Sequence, residues 1–195
     1  MKFIKPIVFI LLLYPILILI YWGFYDQLKL TAEPVEFILH FTGIWALRIL
    51  LLTLAMTPMK DITKNVIFIK LRRMLGLFAF FYVTLHLLVY TWLDLEFDYS
   101  HLFEDIIDRP YITVGFLAWV LLIPLAITSN IRMIKKLGRK WKKLHKSIYI
   151  IIVLACLHFL WLVKQDLLEP IIYASIAFVL LAYRYIKYKR NDNIK

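Results

Sequence analysis

The 195-residue chain has one cysteine, Cys156, and five glycines. A single thiol excludes an internal disulfide and any multi-cysteine zinc or iron–sulfur centre. The five scattered glycines form neither a phosphate-cradling loop nor a dinucleotide fingerprint. Charge is also scarce, at 19% of residues, against about 25% in a soluble domain. No repeat, low-complexity tract or linker interrupts the chain, so residues 1–195 read as one domain. What fills the sequence is apolar: 63% hydrophobic and 16% aromatic, with a mean hydropathy of +0.77. A soluble domain is about 45–50% apolar. One core of this size cannot bury the excess, which rules out a water-soluble monomer, and the aromatic content rules out disorder. The net charge of +11 would suggest a nucleic-acid partner in a soluble protein. The placement of the charges argues otherwise.

A membrane-crossing helix needs about 20 mostly apolar residues. Six windows come close: 6–25, 38–57, 74–93, 111–128, 148–163 and 170–186. The expectation is an all-α integral membrane protein, a bundle of six transmembrane helices. The first window is longer than the roughly 7–15 apolar residues of a signal peptide. Tyr21, Trp22 and Tyr25 follow it as interfacial anchors rather than a cleavage site, so it reads as a retained span. Pro15 and Pro124 are expected to kink their helices, and Thr57-Pro58 to end span two. The loops, and the nine residues after the last window, leave no room for a soluble flavin or nicotinamide domain.

If the six spans alternate, the connectors sort by sign. One side collects Lys2, Lys5, Lys60, Lys64, Lys70, Arg72 and Arg73, the basic run from Arg132 to Lys146, and Arg184, Lys187, Lys189, Arg190 and Lys195. Only Asp61 and Asp192 oppose them there, giving +18. The other side holds Lys29, Arg109 and Lys164 against eleven acids, giving −8, and Arg48 lies within a span. Basic residues stay cytoplasmic, so both termini are expected inside.

Ionisable residues within spans are costly and mark function by default. His86 lies inside span three and His158 inside span five, twelve and ten residues from the inner starts of their windows. At about 1.5 Å per residue, the two differ in height by about 3 Å. Two imidazoles at one level on parallel helices can ligate both faces of one haem iron, which suits electron transfer. Alternatively, each could be bonded to a backbone carbonyl between helices. Zinc fits poorly, because no third ligand shares that depth. His145 lies about 20 Å below His158, and on a continuous helix the two point about 220° apart. Fourteen residues before His86, near its face, stands Arg72, with Arg73 beside it. The inner level thus offers one histidine and one arginine. It could be a haem site with an unusual second ligand, a site for an anionic quinone or flavin, or a solvated lipid-facing surface. Arg48, mid-span, needs an anionic partner, and no carboxylate within a span is expected to reach it; haem propionates or a quinone oxygen would serve. His40 and His101 read as solvated interfacial residues, and Cys156 as packing.

Several stretches occur in order around these histidines: Leu71-Arg72-Arg73-Met74-Leu75-Gly76, Asp108-Arg109-Pro110-Tyr111-Ile112-Thr113-Val114-Gly115, Pro124-Leu125-Ala126-Ile127-Thr128-Ser129 and Leu137-Gly138-Arg139-Lys140-Trp141-Lys142-Lys143-Leu144-His145. Over roughly residues 40–185 they resemble the MsrQ family, the haem-binding membrane subunits of the bacterial periplasmic methionine sulfoxide reductase system. The wider resemblance is to ferric reductase and NADPH oxidase transmembrane domains. It implies a b-type cytochrome of the bacterial inner membrane, an electron-transfer subunit rather than the catalytic one. Electrons would come from the quinone pool, or from a cytosolic flavin reductase. They would pass to a periplasmic molybdopterin-containing, MsrP-like partner that reduces methionine sulfoxide in proteins. The implied cofactors are haem b and FMN, although no FMN motif is visible. His86, His145 and His158 fall on the family's histidine positions. The wider oxidase group carries two histidines on each of two helices, and this chain lacks the inner one on span three, leaving one haem or two. Arg48, Arg72 and Arg73 are the candidates for propionate, quinone or flavin contacts. Two other readings compete: a stand-alone transmembrane ferric or quinone reductase, and a small transporter relaying protons through His86, Arg48 and His158.

Overall fold

A computed structural model describes residues 3–192, with the side chains of Asn191 and Asp192 left out. Lys2 and Lys195 of the basic set, and the side chain of Asp192, lie outside what is described. Nine α-helices and short 3₁₀ and π turns account for nearly all of the described chain, and no strand occurs among the described residues. Helix α1 spans Ile4–Tyr25, α2 Pro34–Thr63, α3 Ile67–Val89, α4 Tyr99–Asp108 and α5 Pro110–Ile127. Then follow α6 at Ile131–Leu137, α7 at Arg139–Leu144, α8 at Ile148–Leu162 and α9 at Leu168–Asp192. Among the described residues, six stretches are long and apolar enough to cross a membrane, and each overlaps one of the six expected windows.

The boundaries follow from local chemistry. Pro34 and Pro110 open α2 and α5, where the missing N–H costs nothing. Asn130 caps α6 by accepting from Met133 N at 2.8 Å. Gly138, at φ +51°, separates α6 from α7 in a conformation that disfavours a side chain.

Two sequence expectations need correction. Thr57-Pro58 does not end the second span, because α2 continues through Pro58 to Thr63. A helical proline orphans the carbonyl four residues earlier, here that of Leu54. The Arg184 guanidinium supplies the missing donor, with Nη2 2.8 Å from Leu54 O and 3.0 Å from Thr57 Oγ1. The fifth span is also not one continuous α-helix. A 3₁₀ turn at His145–Ser147 joins α7 to α8, so the 100° step that placed His145 about 220° from His158 does not apply across it.

Five of the long helices form a ring. Helix α2 packs on α3 and α9, α3 on α5, α5 on α8, and α8 on α9; α2 also touches α8. Thus α2 and α5 both bridge α3 and α8, the two histidine-bearing helices. Helix α1 is peripheral, against α2 and α3, where the buried Tyr82 hydroxyl donates to Leu12 O at 2.8 Å. The outward faces are apolar, as at Ile10, Leu17, Phe178 and Val179. They suit hydrocarbon rather than water.

Candidate functional site

The outer level is built by α3 and α8 with glycines of their neighbours. His86 Nδ1 donates to Leu39 O on α2 at 3.0 Å, with Thr42 Oγ1 3.3 Å away. His158 Nδ1 donates to Tyr111 O on α5 at 2.7 Å. A carbonyl only accepts, so each bond fixes the proton on Nδ1 and leaves Nε2 with its lone pair. That is the tautomer a metal-ligating imidazole adopts. The two ring centroids are 6.1 Å apart, with the planes at 79°. Imidazoles bound to opposite faces of one metal through bonds of about 2.0 Å hold their centroids about 6.3 Å apart. The separation therefore fits one iron between them.

Both rings lie against glycine. A Cβ at Gly43 on α2 would meet His86 Cε1 at 3.1 Å and Nδ1 at 3.2 Å. One at Gly115 on α5 would meet His158 Nδ1 at 2.7 Å and Cε1 at 3.0 Å. Neither glycine stands out as a site residue by composition or spacing, although Gly115 closes the stretch from Asp108. The available signal is that each lies within a few residues of the carbonyl its histidine uses. Among the described residues, no group of three His, Cys, Asp or Glu side chains gathers as a metal site.

The inner level centres on His145. Its Nδ1 donates to Trp141 O at 3.1 Å, and the Trp141 indole stacks on the imidazole with centroids 3.9 Å apart. Nε2 is buried and has no partner among the described residues. A buried nitrogen without a well-formed hydrogen bond is costly; the Leu125 backbone carbonyl approaches the ring, and with the proton on Nδ1 the Nε2 lone pair is available to a metal. His145 therefore repeats the tautomer of the outer pair. Arg72 lies within electrostatic range of His145. Arg73 is exposed, without a hydrogen bond or ion pair among the described residues, and is not brought to this site.

Arg48 departs from expectation. A protein carboxylate does reach it: Glu169, at the start of α9, stands 3.9 Å from Nη2. Nε donates to Tyr173 Oη at 2.7 Å, and the guanidinium lies 5.2 Å from the centre of the Trp45 ring. Glu169 lies just outside the last apolar window, and the start of α9 brings it over α2. Its other oxygen is 3.5 Å from Nε2 of the exposed His40 at the outer edge. His101, also exposed, pairs with Asp98 at 2.7 Å. Cys156 is buried in packing.

Residues 42–156 match the family model described as "Ferric reductase like transmembrane component". A relative from Xanthomonas campestris pv. campestris (strain 8004) is 55% identical over 155 residues, covering 80% of this chain and 71% of its own. It is named "Protein-methionine-sulfoxide reductase heme-binding subunit MsrQ". The chain belongs to the MsrQ family. Another MsrQ, from Herminiimonas arsenicoxydans, is 47% identical over 184 residues, 93% of this chain and 84% of the relative. No solved structure matches the chain. The family-model match takes in Gly43, Arg48, Arg72, His86, Gly115 and His145, and stops two residues short of His158. With six apolar helices and a transmembrane family, this is a multi-pass membrane protein.

Proposed function

We propose that this chain is a haem-bearing electron conduit of the bacterial inner membrane, with His86 and His158 as the two axial ligands of an outer haem. The observation that carries the reading is the pair of imidazoles 6.1 Å apart, each locked by a backbone carbonyl with Nε2 free. Haem iron held there would supply reversible one-electron transfer. The protein's part is to fix both rings before the cofactor binds, admit them through Gly43 and Gly115, and surround them with apolar helices. His145, with its buried Nε2, is the candidate ligand of a second, inner haem. The sidedness of the basic residues supports cytoplasmic termini, and in this reading electrons flow outward from the quinone pool or a cytosolic flavin reductase. The recipient in this reading is a periplasmic, molybdopterin-containing, MsrP-type partner in a heterodimer. The acidic outer segment around α4, where Phe103 and Ile107 are exposed beside Glu104 and Asp108, offers it a docking surface.

Reduced-minus-oxidised spectra with haem quantitation test this on wild type, His86→Ala, His145→Ala and His158→Ala. The expected result is loss of the same haem component in the His86 and His158 variants. A loss of about half the total in His145→Ala indicates two haems. Full haem in both outer variants overturns the assignment. A proton transporter would show no visible absorbance in any of the four proteins.

A further inference from the structure

Among the described residues, two buried side-chain polar atoms lack a partner: His145 Nε2 and Arg184 Nε. They lie at the same end of the bundle. Arg184 reaches from α9 to donate through Nη1 to Tyr149 Oη at 3.1 Å, and through Nη2 to Leu54 O and Thr57 Oγ1. Tyr149 is one turn beyond His145 on the same span, and its ring lies 5.4 Å from the Arg184 guanidinium carbon. From α3, Arg72 lies within electrostatic range of Arg184, Tyr149 and His145. It has no hydrogen bond or ion pair among the described residues.

Among the described residues, no carboxylate forms an ion pair with Arg72 or Arg184. The nearby acid on α2, Asp61, is already bonded to Lys187, Tyr183 and Lys60. Two guanidinium groups drawn into a low-dielectric helix end without a counter-charge are expensive. Their free donors are those that recognise planar or tetrahedral oxyanions. The Tyr149 hydroxyl accepts from Arg184, so its own hydrogen remains to be donated.

We propose that the inner ends of α3, α8 and α9 form an oxyanion site in which Arg72, Arg184 and Tyr149 hold the acidic groups of a cofactor seated at His145. The ligand class is a carboxylate pair, as on haem, or a phosphate monoester, as on FMN. The proposal rests on the inner-site reading only in placing the cofactor beside His145. Arg184 has two tasks in this account: one edge of its guanidinium repairs the Pro58 break in α2, and the other faces the anion.

The test uses the full chain in detergent and compares wild type with Arg72→Gln, Tyr149→Phe, Arg184→Gln and Pro58→Ala/Arg184→Gln. The double variant returns an N–H to Leu54 O, so a folding defect in α2 is separated from loss of the anion site. Haem content and spectroelectrochemical potential are read for each component, with the His86–His158 component as internal control. Affinity is read for protohaem against its dimethyl ester, and for FMN against riboflavin. Loss of one charged hydrogen-bond donor should weaken the ligand about tenfold or more and lower the potential of the inner component. Discrimination against the ester names the propionates, and discrimination against riboflavin names the phosphate. Unchanged content, potential and affinities in both Arg72→Gln and the double variant overturn the proposal. His145→Ala reports separately. If it leaves all cofactor in place, ligation at His145 fails, and the arginine variants still decide the oxyanion site.

Discussion

At the scale of single residues, one device recurs three times. His86, His145 and His158 each give Nδ1–H to a backbone carbonyl, of Leu39, Trp141 and Tyr111 respectively. Each bond fixes a tautomer and a ring orientation before any cofactor is present. The cradle around two of the rings makes a sharp prediction. Gly115→Ala places a Cβ 2.7 Å from His158 Nδ1, and the ring cannot retreat without giving up its bond to Tyr111 O. In an ordinary helix the same change would stabilise by about 0.5–1 kcal/mol. The expected outcome is loss of most haem with helix content retained, measured by haem-to-protein ratio and circular dichroism. Gly43→Ala, at 3.1 Å, should lose less. Full haem in Gly115→Ala would contradict the cradle. The histidines were legible because depth in a span needs only the rise per residue. The glycines and carbonyls facing them were not, since those contacts join different helices. Glu169 was hidden for the same reason. With both side chains about 40% exposed, its pair with Arg48 should contribute only about 0–1 kcal/mol to stability.

Among the elements, α2 and α4 show where local rules succeed and fail. Proline predicts a break at 58, yet Arg184, far along the chain, supplies the donor that Pro58 lacks. Arg184 falls inside the expected 170–186 window and, like Arg48, is an arginine within an apolar span, close to the basic tail. Helix α4 lies outside the spans and has a titratable cap. Asp98 accepts from the backbone of Ser100 and His101 and pairs with the His101 ring. The Ser100 hydroxyl first, and His101 next, hold the Asp98 carboxyl below its ordinary range. The hydrogen bond to Asp98, and then its charge, hold His101 above the ordinary histidine value. The His101 contribution to the cap is complete below pH 6.5 and is lost as pH rises through its raised folded value. The Asp98 contribution is complete above its unfolded value of 3.8 and is lost as pH falls through the lowered one. The cap is therefore tightest between the two. An imidazole NMR titration should place the His101 midpoint above that of a free histidine, and Asp98→Asn should bring it back. A midpoint unmoved by that substitution contradicts the pairing.

For the whole molecule, hydropathy made the six spans plain, because the lipid requirement acts on each helix separately. Which helices become neighbours is not written locally. It emerges from the ring in which α2 and α5 both bridge α3 and α8. That arrangement gives the central claim its geometry: two imidazoles from opposite helices, at one level, with planes 79° apart. Electron paramagnetic resonance of the oxidised, purified protein tests it most directly. Near-perpendicular bis-imidazole ligation predicts a strongly anisotropic low-spin ferric signal, lost together with its haem in both His86→Ala and His158→Ala and unaffected in its outer component by His145→Ala. A low-spin signal that survives unchanged in either outer variant would contradict the account.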